Sequence, residues 1–218
     1  MNNTLALSDY MLILLDLDDN KPIVGAIRMM KMMFLFEKEI MPLLKKKSID
    51  VTSVPPFIAY DFGPFSKDIY EQLELFTNLN FIKTTPVDAI ENSDEFDDWE
   101  DVYGEDIFDR TFKDGYRRLN IDYRSLQYSI TPRGDRFVSL KLLPNIADEI
   151  KELLVSFKRK ICNLSTSQLL YYVYSRYEKY TTKSKIKDKV LSASIVMPED
   201  SVLFDPTSTF PKDGDNDD

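Results

Sequence analysis

Apolar side chains recur at three- and four-residue intervals through most of this chain, and a few turn-forming residues break the pattern. Ser8 to Leu15 is a short apolar run behind a serine able to cap it, closed by the polar turn Asp16-Leu-Asp-Asp-Asn20. Pro22 suits the first position of a long helix through about Ile40, with Ile23, Ile27, Met30, Phe34 and Ile40 as its inner stripe. Met41-Pro42 bends or closes that helix, and Lys45-Lys-Lys47 complements the charge of its carboxyl end. Ile49 to Val54 reads as a brief helix or turn, after which Pro55-Pro56 forces extension into Phe57–Tyr60. Gly63 permits a sharp turn and Pro64 stiffens it. Ser66 is placed to cap a helix in which Ile69, Leu73 and Phe76 face inward, with Tyr70 beside them.

Asn78-Leu-Asn80 stops that helix, and residues 81–85 read as a strand. Residues 124–130 read as the returning strand, with Leu126, Tyr128 and Ile130 on one face. Thr131-Pro132 opens a helix to about Leu142, Pro144 opens another from Asn145 to Cys162, Ser165 caps a third, and Lys183-Ser184 begins a last one towards Val190. The order is long helix, short element, capped helix, strand, long excursion, strand, helix. It predicts a mainly α (α+β) chain. The core is a winged helix-turn-helix domain over residues 1–143, followed by a helical extension over 144–197 and an acidic mobile tail over 198–218.

Composition narrows the chemistry. With 218 residues and 43% hydrophobic content the chain can bury one sizeable core. It has six glycines and neither a P-loop nor a dinucleotide fingerprint, which disfavours nucleotide hydrolysis. It has no histidine, removing the commonest general base and metal ligand. The lone Cys162 excludes an internal disulfide and a cysteine-pair zinc site, and its place on an apolar helix face reads as a structural thiol. Carboxylates at 94–101 and 105–109 form no Asp...Glu-x-Lys arrangement on a strand-helix scaffold, so metal-assisted phosphodiester cleavage is a distant reading. Met29, Met30, Met32 and Met33 read as fillers of an irregular core. The expectation is a protein without catalytic residues, cofactor or metal, cytoplasmic, with no membrane-spanning stretch, and compatible with a homodimer.

Charge is segregated. Of 37 acidic and 28 basic residues, segment 86–114 carries twelve acids against Arg110 and Lys113, and segment 199–218 carries seven against Lys212. What remains has eighteen acids and twenty-five bases, a net of +7 within a chain of net −9. Residues 149–190 alone hold ten bases against four acids. A basic body attracts phosphate, while the acidic segments either compete for that surface or bind elsewhere. Segment 86–114 also carries Trp99, Tyr103 and Phe108, which reads as a wing insertion that docks through its aromatic residues or solubilises the chain.

Tyr128-Ser-Ile-Thr-Pro-Arg-Gly134 is similar to the aromatic-x-Leu-Thr-x-x-Gly segment that closes the wing of many MarR- and PadR-like regulators. Three further stretches resemble the YwgA-like proteins of bacteria and archaea: Lys31-Met-Met-Phe-Leu-Phe-Glu37, Phe57-Ile-Ala-Tyr-Asp-Phe-Gly-Pro-Phe-Ser-Lys-Asp-Ile-Tyr70, and Leu170-Tyr-Tyr-Val-Tyr-Ser-Arg-Tyr-Glu-Lys-Tyr-Thr-Thr-Lys-Ser-Lys-Ile186. A looser likeness, chiefly in Tyr-x-x-Gly-Pro and the helix after it, is to the SocA-type (Panacea) antitoxin domain. The departure from these patterns is the acidic wing. The resemblance implies a regulatory, antitoxin or defence-associated module and transfers no catalytic residue.

Two functions follow as expectations. In one, the helix from Ser66 enters a major groove with Ser66, Lys67 and Tyr70 near phosphate, and Arg133, Arg136 and the basic carboxyl-terminal helices track the backbone. In the other, Trp99, Tyr103 and Phe108 anchor the acidic insertion on a basic protein partner, imitating nucleic acid.

Overall fold

The computed structural model describes residues 4–86 and 126–198, so Trp99, Tyr103, Phe108, most of the acidic insertion and the tail lie outside the described residues. The described chain is mainly helical with small sheets, an α+β arrangement. Its centre is α1 (Leu7–Asp16), in which Leu7 and Tyr10 to Leu15 are all buried. Because it is apolar all round, this helix needs neighbours on every side. Its amino end is closed by Asp9, whose carboxylate accepts from the Ala6 amide at 2.8 Å. At its carboxyl end Asp18, Asp19 and Asn20 all adopt positive φ, a left-handed stretch that short polar side chains tolerate.

That turn redirects Ile23–Val24, which is where the expected helix from Pro22 fails. These residues form strand β2, with Ile23 opposite Tyr128 and Val24 opposite Gln127. Gly25 follows at φ +94°, and α2 (Ala26–Leu35) starts only after it. Two apolar residues carry too little periodicity to separate strand from helix. The helical path does not end at Met41-Pro42. A π turn (Phe36–Ile40) immediately precedes the proline, and α3 (Met41–Lys46) continues beyond it.

The expected helix or turn at 49–54 is instead strand β3 (Val51–Thr52), parallel to β1 (Leu5–Ala6). Gly63–Phe65, read as a turn, is strand β5 and pairs with β4 (Ile58–Tyr60), placing Tyr60 opposite Gly63. Then come α4 (Lys67–Asn78), β6 (Ile82–Pro86) and β7 (Leu126–Ile130). β6 and β7 are antiparallel, with Ile82 opposite Ile130 and Pro86 opposite Leu126, so they bracket the acidic excursion. With β2 they make a three-stranded sheet in the order β2-β7-β6.

Helix α5 (Pro132–Phe137) is capped as expected. Thr131 Oγ1 accepts from the Gly134 amide at 3.1 Å and donates to the Asn80 carbonyl at 2.7 Å. A Cβ on Gly134 would lie 2.1 Å from the Phe81 carbonyl oxygen, so the Thr-x-x-Gly spacing serves a cap and a close backbone approach together. A second π turn (Val138–Leu142) leads to α6 (Asp148–Asn163). Helix α7 (Thr166–Arg176) begins with a reciprocal Ser165–Gln168 cap. The last helix, α8 (Lys187–Ser192), starts four residues later than expected, because Thr181–Ser184 is spent on a turn. Ile150, Leu154, Phe157 and Ile161 of α6 and Leu169, Leu170 and Val173 of α7 share one core with α1 and α2.

Candidate nucleic-acid interface

Stretches 31–37, 57–70 and 170–186 meet in space. Lys31, only 2% exposed, drives its ammonium into the β4–β5 turn and donates to the carbonyls of Phe62 at 2.5 Å and Pro64 at 2.9 Å. Asp61 of the same turn pairs with Lys185 at 2.8 Å, and its carbonyl accepts from the Lys185 amide and the Ser184 hydroxyl. Tyr174 hydrogen-bonds Ser184 at 2.7 Å, and its ring lies 2.9 Å from where a Gly63 Cβ would stand. A cation neutralised by carbonyl dipoles and a tyrosine held by a hydroxyl make a latch. The latch fixes the start of α4 against the C-terminal helices.

The latch changes what α4 can present. Ser66 has N-cap backbone angles, yet its side chain makes no capping bond. The residue is 2% exposed, its amide goes to the Met30 sulfur at 3.4 Å, and its buried Oγ has no hydrogen-bond partner. Ser66 is therefore enclosed by packing, away from any surface a phosphate could reach, which corrects its expected role. Lys67 is exposed but pairs with Glu71 one turn on at 2.7 Å. Tyr70 is half-buried against Phe65, which also packs on Tyr60.

Arg133 and Arg136 are exposed on α5, and Arg133 sits over the Phe81 ring at 5.3 Å, with Phe81 stacked on Phe137. Phe81 follows the carboxyl end of α4 whereas Lys67 opens it, and twelve residues at about 1.5 Å each separate the two ends by about 18 Å. The expected site residues thus form two groups at opposite ends of α4. The outward face between them shows Asp68, Glu71 and Glu74 with the exposed Leu75 and Leu79.

Positive charge collects elsewhere. Between Arg176 and Lys189 there are six bases against Glu178 and Asp188. Tyr177 in this segment donates to the buried Glu39 at 2.8 Å, as does Tyr172, which also accepts from Arg176. Tyr180 has the ammoniums of both Lys38 and Lys179 at 5.0 Å from its ring centre.

A second buried polar group escaped the reading of the sequence. Lys158, fully buried on the apolar stripe of α6, donates to the Leu17 carbonyl at 2.6 Å at the end of α1. Burial pushes its ammonium down to about 8. Asp16 is pushed up to about 7, first by burial and then by the Asp135 carboxyl beside it. Arg28 closes the far end of α6, donating to the carbonyls of Ile161 and Leu164, both at 2.7 Å. The available signals were a lysine in step with Leu154 and Ile161 and an arginine in the first turn of a methionine-rich helix. Neither says what it will cap.

Cys162 is half-buried, and burial raises its thiol. No group of three potential metal ligands occurs among the described residues, and none of their helices is long and apolar enough to cross a membrane. No family model, curated protein or solved structure matches this chain.

Proposed function

We propose that this chain is a non-enzymatic regulatory protein of the winged-helix kind that binds nucleic acid. The observation that carries the reading is topological: helix α1, strand β2, helix α2, helix α4 and the β6–β7 ribbon follow in that order, with a sheet ordered β2-β7-β6. With α3 and the strands β3, β4 and β5 read as an insertion between α2 and α4, this order supports a winged-helix reading in which α4 is the reading helix and the β6–β7 ribbon the wing. Charge supports it, since residues 126–198 carry thirteen bases against six acids.

A second reading, a protein-interaction module of antitoxin, adaptor or inhibitor type, draws on one specific observation. The outward face of α4 is acidic and exposes Leu75 and Leu79, which suits a basic protein better than a phosphate backbone. Retention on immobilised heparin or random duplex separates the two, comparing the intact chain with a form in which a short turn replaces residues 88–113. Nucleic-acid binding predicts salt-sensitive retention of both forms. Retention of the trimmed form alone, or of neither, would instead favour the protein-partner reading.

A further inference from the structure

Winged-helix topology puts α4 where a groove would be read, yet the charge on α4 opposes that use. Lys67 is spent on Glu71 at 2.7 Å, and Asp68 and Glu74 are exposed on the same outward side. A helix carrying three carboxylates against one paired ammonium is repelled from the wall of a groove lined with phosphates. The segment from Arg176 to Lys189 has the opposite character, with Arg176, Lys179 and Lys183 all exposed.

That segment is also rigidly mounted. Thr181, Ile186 and Val190 are buried, Tyr177 is tied to Glu39, Lys185 is tied to Asp61, and Arg176 lies over the Tyr172 ring at 4.8 Å. Cations on a fixed backbone meet a ligand with little loop ordering still to be done, so each phosphate contact keeps more of its favourable energy. Tyr180, held beside Lys38 and Lys179, adds an aromatic ring among the cations. The pattern suits a polyanionic backbone.

We propose that the edge formed by Arg176, Lys179 and Lys183, and not the outward face of α4, receives the phosphate backbone of the bound nucleic acid. This rests on the nucleic-acid reading above and relocates the contact surface within it. Binding of the full chain to a random duplex of about 20 base pairs, followed by fluorescence anisotropy over a range of salt concentrations, tests it. The Lys179→Gln/Lys183→Gln variant should lose roughly tenfold in affinity at low salt and flatten the slope of log affinity against log salt by about two. A charge-matched Lys67→Gln/Arg136→Gln variant should lose markedly less affinity and less slope than the Lys179→Gln/Lys183→Gln variant. Melting curves check that each variant is folded, and the salt slope reports lost phosphate contacts even where stability moves. The reverse pattern, loss confined to the α4 and α5 changes, overturns the relocation and leaves nucleic-acid binding standing. If the parent chain fails to bind the duplex, whether or not the form lacking residues 88–113 binds it, nucleic-acid binding by the protein itself falls, and this inference with it.

Discussion

Asp16 and Lys158 oppose each other across the end of α1, and their shifted proton affinities make stability depend on pH in a defined direction. Asp16 titrates at about 7 in the fold against an ordinary value of 3.8, so the folded state holds a proton that the unfolded state has lost. Its contribution is present below pH 4 and is lost as pH rises towards 7. Lys158 titrates at about 8 in the fold against 10.5, so the folded state is the one short of a proton, and stability recovers as pH rises from 8 towards 10.5. These two groups therefore place a stability minimum between about 7 and 8. Replacing Asp16 by Asn should flatten the decline between pH 4 and 7 and raise stability at pH 8 by about 1–2 kcal/mol, the full linkage value being reduced by relaxation and water access. Urea melts at three pH values measure this, and a parent whose stability does not fall across that range would refute the assignment. At the same scale, Gly134→Ala should cost at least about 2 kcal/mol, because a Cβ 2.1 Å from the Phe81 carbonyl must push backbone aside. A change within about 0.5 kcal/mol would mean that α5 can retreat from β6 without loss.

At the scale of elements, the latch makes a local prediction. Lys31→Met removes a buried cation and leaves the Phe62 and Pro64 carbonyls without it, costing about 2–4 kcal/mol. Hydrogen exchange should speed up most in the β4–β5 hairpin and the first turn of α4, while the amides of α1 stay protected. Uniform loosening would show that Lys31 serves the whole core. The long elements were legible from spacing. The stripe of α4 buries Ile69, Leu73 and Phe76 as its periodicity selects, Thr131 caps α5, and β6 and β7 pair around the acidic excursion. The two- and three-residue strands β2, β3 and β5 were not, since alternation needs more positions than they have. The π turns depend on a register that side-chain pattern does not encode. Ser66 illustrates the remaining failure: its residue type fits a cap, but the sulfur of Met30 and the walls around it decide where the hydroxyl lies. Exposure of Lys67, Arg133 and Arg136 follows from their flanking pattern. Their separation along α4 required the fold.

Among the described residues, opposite charges lie on different elements. The α4 face is acidic, and the edge beyond α7 is basic. The helices after residue 143 also belong to the common core, since Leu154, Phe157 and Val173 cluster with Leu12, Met33 and Phe36. A chain ending at 143 should therefore lack cooperative thermal unfolding and bind a hydrophobic dye, and a sharp melt from that fragment would show the extension to be dispensable. The buried central helix has one more consequence. α1 leaves the ribosome before the walls that enclose it are complete, since these include α6, which is synthesised more than a hundred residues later. Until then a greasy segment with no exposed polar side must be shielded in a half-made chain, so production of this protein should depend on chaperones that hold nascent polypeptides.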